Sequence, residues 1–389
     1  MDRRKFLLKS TGAFASLITI PNINFNRHRI SSFFPVEYST RAIDLVRESI
    51  VVDMLNQFSF PGKELSGWLD KTEAFNDVHA QKYIDSGINV FALGHGEENK
   101  AKSLDYFTKW NRFIAANPDR LKRIDKAEDF QYVNQTGKTG VLLTFQDSRH
   151  FESVTDVGLF YSVGQRLSQL TYNYKNKIGC GAFDNEDAGL TDYGRQIVAQ
   201  MNAAGMAIDV SHCSDKTTLE AIALSNKPVI ITHADCRGLN PGNRRTKTDE
   251  MLRNMAAKGG VMGVAEIRFM VKGKEPVTIE DFLDHYDYII KLIGVEHAGI
   301  GTDFDLDTDD GRVPFEERKA MYADTTGERY KKYQMHSNEK YLIGIEGINH
   351  PKRIYDIVDG FIRRGYSDQM IKLILGENFI RASKQIWKV

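Results

Sequence analysis

Residues Gly205–Asp215, GMAIDVSHCSD, form an apolar run that turns abruptly polar at Asp209. The first residues of the run are apolar and partly β-branched, as in a buried strand. His212 then follows directly after the strand. In parallel α/β barrels, the loops that follow the carboxyl ends of the strands carry the active site, and a buried strand that ends in histidine fits this arrangement.

The same pattern of an apolar strand followed by a helical segment recurs along the chain. The eight candidate strands are Ser49–Met54, Gly87–Leu93, Gly140–Phe145, Ser168–Thr171, Gly205–Val210, Pro228–Thr232, Gly260–Ala265 and Ala298–Thr302. The main helical segments are Thr191–Ala204, Lys216–Ser225, Asp249–Lys258 and Ile279–Ile293, with closing helices at Pro351–Arg364 and Ser367–Leu375 that end at GENF. Eight strand–helix repeats predict an α/β fold, a closed (β/α)8 barrel of the TIM type. A doubly wound sheet is the alternative, but no Gly-x-Gly-x-x-Gly follows the first strand.

The amino-terminal segment differs in character from the rest of the chain. MDRRKFLLKSTGAFASLITIP has paired arginines, Arg3 and Arg4, before a weakly apolar run that stops at Pro21. This order is typical of a twin-arginine export signal, and the run is too short to span a bilayer. We therefore expect residues 1–33 to be a signal and linker, the mature protein to be periplasmic, and no stable membrane span to remain after processing.

Residues 34–389 are predicted to form a single barrel domain. The polar and aromatic stretch at about 313–347 follows the eighth strand and is expected to be an insertion over the barrel mouth. Lys+Arg and Asp+Glu both number 52, so the formal net charge is zero and no basic field favours nucleic acid as a partner. Three cysteines are too few for a disulfide framework, and isolated thiols are expected.

Polar side chains follow three of the predicted strands. His212 follows the fifth strand, His233 in ITHAD the sixth, and Asp303 and Asp305 in GTDFD the eighth. A single histidine is usually a structural residue, but these positions converge at one barrel mouth, where Asp303 is the better inward candidate. Two imidazoles and a carboxylate suit a divalent metal such as Zn²⁺, which activates water and polarises a carbonyl.

The segment from Leu190 to Val264, together with GIGTDFD and GYSDQMIKLILGENFIR, resembles the membrane (renal) dipeptidase family. The resemblance runs from about Ser49 to the carboxyl terminus. It implies a (β/α)8 barrel with two zinc ions that hydrolyses dipeptides. The family's zinc ligands are a His-x-Asp after strand one, a bridging Glu after strand three, and a His after each of strands five and six.

Several family residues carry over onto this sequence. His212 and His233 match the two later zinc ligands, and Asp303 matches the Asp that handles protons in the family. Arg245 matches the family's substrate-binding Arg, whose guanidinium suits a carboxylate, although the adjacent Arg244 competes for that role.

Four family positions are replaced in this chain. Leu55 and Gln57 stand where the first-strand His and Asp belong, Gln146 replaces the bridging Glu, and Tyr172 replaces a substrate-binding His. Leu binds no metal, and a neutral amide is a poor zinc ligand. The resemblance therefore implies one zinc ion rather than two, with a metal-free site as the alternative.

Three nearby polar residues could compensate for the replaced ligands. Asp53 shares a strand face with Leu55, Asp147 follows Gln146, and His95 lies just past the second strand. We expect each of them to be structural or to face the substrate rather than to bind metal.

The leading hypothesis is a metallodipeptidase-type hydrolase that cleaves a dipeptide or related small amide. His212 and His233, with Gln146 or Asp303, would hold one ion, and Asp303 would act as general base and then as general acid. Arg245 would bind the substrate carboxylate and Tyr172 would supply a hydrogen bond.

Two other hypotheses keep the same scaffold. One is a metal-free enzyme that moves protons in an isomerase or lyase reaction on an amino-acid-like substrate. The other is a non-catalytic peptide-binding protein, which would have no need for the two histidines and the aspartate. The family resemblance also leaves a homodimer open.

Overall fold

A computed structural model of the chain describes residues 27–29, 37–58, 64–274, 276–306, 345 and 347–388. Of the predicted signal and linker at 1–33, only residues 27–29 are described, and nearly all of the predicted insertion at about 313–347 lies outside the described residues. Arg27–Arg29, in the predicted linker, pairs antiparallel with Glu37–Ser39. Among the described helices, none has both the length and the apolar character needed to cross a bilayer.

The centre of the molecule is a parallel barrel of eight strands, numbered here in chain order. The strands are β1 Val52–Asn56, β2 Val90–Leu93, β3 Thr139–Leu142 continued by Thr144–Phe145, β4 Leu167–Gln169, β5 Ala207–Asp209, β6 Val229–Ala234, β7 Val261–Val264 and β8 Ala298–Ile300. The first part of β3 pairs with β2 and its second part pairs with β4, so the sheet closes on itself. A short outer strand, Leu121–Arg123, pairs with the first part of β3. The predicted barrel and the positions of its strands are confirmed.

Helices surround the barrel. They are α1 Thr40–Glu48, α2 Glu64–Asp70, α3 Asp77–Asp85, α4 Lys100–Ala116, α5 Ala127–Thr136, α6 Asp156–Ser162, α7 Asp192–Ala204, α8 Asp215–Leu224, α9 Asp249–Ala257, α10 Arg268–Val271, α11 Ile279–Ile293, α12 Arg353–Arg363, α13 Asp368–Lys372 and α14 Asn378–Ile386. Side-chain caps define several starts: the Thr191 hydroxyl accepts from the Gly194 N–H before α7, and the Thr278 hydroxyl accepts from the Asp281 N–H before α11.

The predicted end of the helical region at GENF is wrong. A π-helical turn, Leu373–Glu377, joins α13 directly to α14, which continues to Ile386. Gly376 lies within this continuous helical segment, at the point where the segment touches the barrel. A Cβ at that position would be 2.0 Å from the carbonyl oxygen of Ile50. Glycine is therefore required there for close packing.

Two glycines also allow close packing beside β6. A Cβ on Gly301 would lie 1.9 Å from the Thr232 carbonyl oxygen, and one on Gly263 would lie 2.2 Å from the same atom. Real Cβ atoms do not approach a backbone oxygen so closely. Gly263 in β7 and Gly301 just after β8 must therefore lack a side chain for the backbone to pack this closely against Thr232 in β6. Thr232 immediately precedes His233, and the glycine pair therefore sets the position of a candidate site residue.

The first prediction concerns this contact. Gly301→Ala should lower the free energy of unfolding by about 1–3 kcal/mol, because the new methyl group must displace the β6 backbone. Denaturant-induced unfolding followed by circular dichroism measures the change. Gly158→Ala in α6 is the control: nothing lies within 4 Å of its added Cβ, and it should raise stability by about 0.5–1 kcal/mol. Equal effects of the two substitutions would contradict the packing argument.

Candidate active site

The imidazole rings of His212 and His233 meet at the barrel mouth. Their Nε2 atoms are 2.9 Å apart, and the two residues are 5% and 0% exposed. His212 lies three residues after the end of β5, and His233 lies near the end of β6. The structure thus brings the two histidines together, as the sequence predicts for adjacent strands of a barrel.

Hydrogen bonds at the other ring nitrogens fix the protonation of both rings. His212 Nδ1 lies 2.7 Å from Asn173 Oδ1, an oxygen that can only accept, so Nδ1 carries the proton. His233 Nδ1 lies 2.7 Å from the Thr232 hydroxyl, which donates its proton to Asp209 and can therefore only accept from His233. When both rings are neutral, the two Nε2 atoms therefore face each other with lone pairs.

Two buried aspartates hold the threonines that flank the site. Asp209 accepts hydrogen bonds from the N–H and hydroxyl groups of Ser211 and of Thr232. Asp53 accepts in the same way from the N–H of Thr302 at 2.9 Å and from its hydroxyl at 2.5 Å. Burial raises the pKa of both carboxyl groups, and these hydrogen bonds oppose the rise. The β5–β6 and β8–β1 junctions are therefore built alike.

Asp303 has a strained backbone and faces the histidine pair. Its φ is +58°, in the left-handed region that non-glycine residues rarely adopt. Its N–H donates to the Leu55 carbonyl at 2.9 Å, and its Oδ2 lies 3.9 Å from His233 Nε2. Desolvation raises the pKa of Asp303 to about 7, against the lowering effect of Arg245. A strained residue with such a pKa is typical of a catalytic position.

Arg245 places a fixed positive charge beside the histidines. The residue is 2% exposed, and its guanidinium donates to the carbonyls of Ser211 and of His233, the latter at 3.0 Å. Burial lowers the pKa of His233 well below its usual value, and Arg245 lowers it further, so the imidazole stays neutral. Arg244, its competitor for the substrate role, is exposed and donates to the Asp184 carbonyl.

Tyr172 and Gln146 both contact the histidine pair. The Tyr172 ring stacks on His212, with ring centroids 4.2 Å apart and planes 22° from parallel. Gln146 Nε2 lies 3.4 Å from His233 Nε2, and the same side chain hydrogen-bonds to the Asp303 carboxyl group and lowers its pKa. The amide nitrogen of Gln146 thus faces His233 in this structure, where it can donate a hydrogen bond, and its predicted role as a metal ligand stays a prediction.

The two replaced positions on β1 offer no metal ligand. Leu55 is 1% exposed, yet it belongs to neither of the two clusters formed by the buried apolar side chains that the structure describes. Gln57 packs against Gly94, where an added Cβ would lie 2.6 Å from Gln57 Nε2. In the described part of the chain, no group of three or more His, Cys, Asp or Glu residues is placed to hold a metal ion.

The three residues that might compensate are engaged elsewhere, as expected. Asp53 is bound to Thr302. Asp147 pairs with Arg149 at 2.7 Å. His95 Nε2 lies 2.9 Å from Glu97 Oε1, and its ring stacks on Tyr106 with centroids 4.0 Å apart. The structure therefore brings together two histidine nitrogens, with the Asp303 carboxylate 3.9 Å from His233, and places none of these three residues beside them as a further ligand.

Sequence reasoning missed the residues that orient the histidines. Asn173 immediately follows Tyr172, and Thr232 immediately precedes His233. Their positions at strand ends were therefore available as a signal. Their roles depend on side-chain hydrogen bonds across β4, β5 and β6, which no local pattern reveals. The thiols of Cys180, Cys213 and Cys236 are free and buried, as predicted.

Comparison with known proteins places this barrel in a family. The family model described as membrane dipeptidase, peptidase family M19, matches residues 41–312. An uncharacterized dipeptidase of Schizosaccharomyces pombe is 30% identical over 52% of this chain and 50% of its own length. A dipeptidase of Claviceps purpurea is 25% identical over 84% of this chain and 71% of its own length.

A solved structure extends the likeness over most of the molecule. The crystal structure of an amidohydrolase from Pseudomonas aeruginosa superposes with a TM-score of 0.72 at 26% identity, covering 89% of this chain and 99% of that one. The chain spans about half the length of the S. pombe relative but nearly all of the P. aeruginosa structure. Since the family model covers more than half of the chain, the protein belongs to the membrane dipeptidase family, peptidase family M19, which is a family of hydrolases.

Proposed function

We propose that this protein hydrolyses the amide bond of a dipeptide or related small amide, with one zinc ion held by His212 and His233. The observation that carries the proposal is the pair of histidine Nε2 atoms 2.9 Å apart, each on a ring whose Nδ1 faces a hydrogen-bond acceptor. Two neutral acceptors repel each other at this distance unless a cation or a proton lies between them. Zinc–nitrogen bonds of about 2.0–2.1 Å require only a small separation of the two rings.

The neighbouring hydrogen bonds support a metal at this pair. A histidine that binds metal generally donates its other ring N–H to an oxygen, which fixes the tautomer. His212 donates to Asn173, and His233 donates to Thr232. Bound zinc would polarise the scissile carbonyl and lower the pKa of its water. Asp303 is the nearest carboxylate to His233 and is the third ligand or the proton carrier at this position.

The proposed roles of the remaining residues follow from their positions. Asp303 accepts the proton of the attacking water and returns it to the leaving amine. Arg245 presents a positive charge for the substrate carboxylate. Tyr172, stacked on His212, hydrogen-bonds the substrate from the β4 side. Gln146 donates to Asp303 and holds the carboxyl group toward the histidines.

The substrate class rests on the dipeptidases of S. pombe and C. purpurea, whose names carry that activity. We further propose that residues 1–33 direct export to the periplasm through the twin-arginine route. A homodimer stays a prediction from the family resemblance.

Metal content is the first test of this function. Protein exported by its native route, with no metal added, should contain about one zinc ion per chain by elemental analysis. His233→Ala should lose both the zinc and dipeptide hydrolysis. His95→Ala, a histidine at the same mouth that pairs with Glu97, is the control and should keep its zinc.

Other metal contents would change the assignment. Two ions per chain would mean that Asp53, Asp147 or His95 moves to bind metal. A folded protein with no metal and no hydrolysis would reject the zinc enzyme and favour metal-free proton transfer or peptide binding. Hydrolysis that survives in His233→Ala would also end the proposal.

Restoring the replaced ligands tests the one-ion stoichiometry. The triple variant Leu55→His, Gln57→Asp, Gln146→Glu supplies the family's ligand types at β1 and β3. Zinc content should rise from about one to about two ions per chain, because a bridging carboxylate offsets the charge of a second cation. The same analysis on Leu55→His alone is the control, and equal uptake by the two variants would show that one ligand is limiting.

The pKa of Asp303 predicts the pH dependence of stability. Its folded pKa is about 7, above the value of about 3.9 in an unfolded chain. Ionisation therefore costs folding free energy, and stability attributable to Asp303 falls as the pH rises from about 4 to about 7. In chelator-treated protein, the melting temperature of Asp303→Asn should exceed that of wild type, and the difference should grow as the pH rises over this range.

Thermal melts from pH 4 to pH 8 measure this difference. A constant difference between Asp303→Asn and wild type across the range would contradict the raised pKa.

A further inference from the structure

A buried arginine faces the loop that carries Asp303. Arg353, the first residue of α12, is 0% exposed. Its Nη2 donates to the carbonyls of Asp305 at 2.6 Å and Leu306 at 3.3 Å, and its Nε donates to the His350 carbonyl at 3.1 Å. The two carbonyls that Nη2 binds lie two and three residues after Asp303. One side chain from α12 therefore fixes the backbone segment that follows Asp303, the proposed proton carrier.

The partner of Arg353 holds the other side of the same loop. Glu266 follows β7, is also 0% exposed, and lies with Oε2 at 3.4 Å from Arg353 Nη1. The Glu266 backbone N–H donates to the Thr302 carbonyl at 3.0 Å. Thr302 directly precedes Asp303. The backbone of Glu266 thus holds the residue before Asp303, and the side chain of Arg353, paired with that of Glu266, holds the residues after it.

Stability alone is a weak reason for such a pair. Burying two charges has a large desolvation cost, and hydrophobic residues of similar volume often stabilise a protein as well or better. Asp303, however, sits at a φ of +58°, a conformation that persists only when the surrounding structure over-determines it. The Leu55 carbonyl fixes the N–H of Asp303, and the Glu266–Arg353 pair fixes its flanks.

We propose that Arg353, paired with Glu266, is a positioning residue that holds Asp303 in its left-handed conformation and directs its carboxyl group toward His233. The kinetic consequence rests on the proposed function, in which Asp303 moves the proton. Arg245 is anchored separately by Ser211 and His233. Loss of Arg353 should therefore affect kcat far more than KM.

The double variant Arg353→Met/Glu266→Met tests the proposal. Removing both charges avoids the unpaired buried carboxylate that Arg353→Met alone would leave. In its crystal structure, Asp303 should leave the positive-φ region, and its Oδ2 should move away from His233 Nε2. With a dipeptide that wild type hydrolyses, kcat should fall about 10- to 100-fold, as expected for a displacement of about 1 Å.

Two further variants sharpen the comparison. Arg353→Lys keeps a charge opposite Glu266 but lacks the planar fork, and it should retain part of the wild-type kcat.

Arg166→Met is the matched control: Arg166 is a buried arginine that donates to the carbonyls of Asp125 and Tyr161 at 2.7 and 2.8 Å. It precedes β4 and so lies at the opposite face of the barrel. This variant should lose stability while keeping the geometry of Asp303 and kcat.

The structural and kinetic readouts separate the two proposals. An unchanged φ and an unchanged Asp303–His233 distance in the double variant would overturn the positioning role, whatever the kinetics. A displaced Asp303 with unchanged kcat would support the positioning role and reject Asp303 as the proton carrier. If wild type hydrolyses no dipeptide, the crystal structures still decide the positioning role.

Discussion

The hydrogen bond from the Thr232 hydroxyl to Asp209 is the interaction on which the site depends. It uses the only proton of that hydroxyl, so His233 must donate through Nδ1 and present a lone pair at Nε2. Asp209 can accept it because β5 and β6 are neighbours in a closed barrel, with Ile230 in register with Asp209. Strand order, a buried carboxylate and the tautomer of a catalytic candidate are therefore parts of one constraint.

By the sequence resemblance, the replaced family positions follow β1, β3 and β4, with Leu55, Gln146 and Tyr172 among them. The matching positions follow or end β5, β6 and β8 and hold His212, His233 and Asp303. Asn173 hydrogen-bonds to His212, and Asp209 accepts four hydrogen bonds from Ser211 and Thr232. Buried polar groups are costly unless they are paired in this way. In the proposed function, the histidine pair is the one ion position, and Leu55 and Gln146 supply no charge to it.

The sequence predicted the barrel and its strand positions because alternating apolar strands and capped helices are local patterns. It also predicted which side chains would meet at the mouth, since strand ends converge in any closed barrel. It failed at Gly376, where glycine serves close packing against Ile50 rather than helix termination. It missed Asn173, Thr232 and the Glu266–Arg353 pair, because those contacts join residues distant in the chain and depend on distances that no periodicity encodes.

The junction between the first and last strands has a consequence for motion. β8 and β1 share one register pair, Ile300 with Asp53, and a single bridge from Asn56 to Phe304. The hydrogen bonds from the N–H and the hydroxyl of Thr302 to the Asp53 carboxylate add to the few backbone hydrogen bonds at this junction. Segments with few backbone bonds open at the lowest free energy and exchange their amide hydrogens first. Because Asp303 directly follows Thr302 and its N–H donates to Leu55, an opening of the barrel at this junction would also disturb the geometry of Asp303.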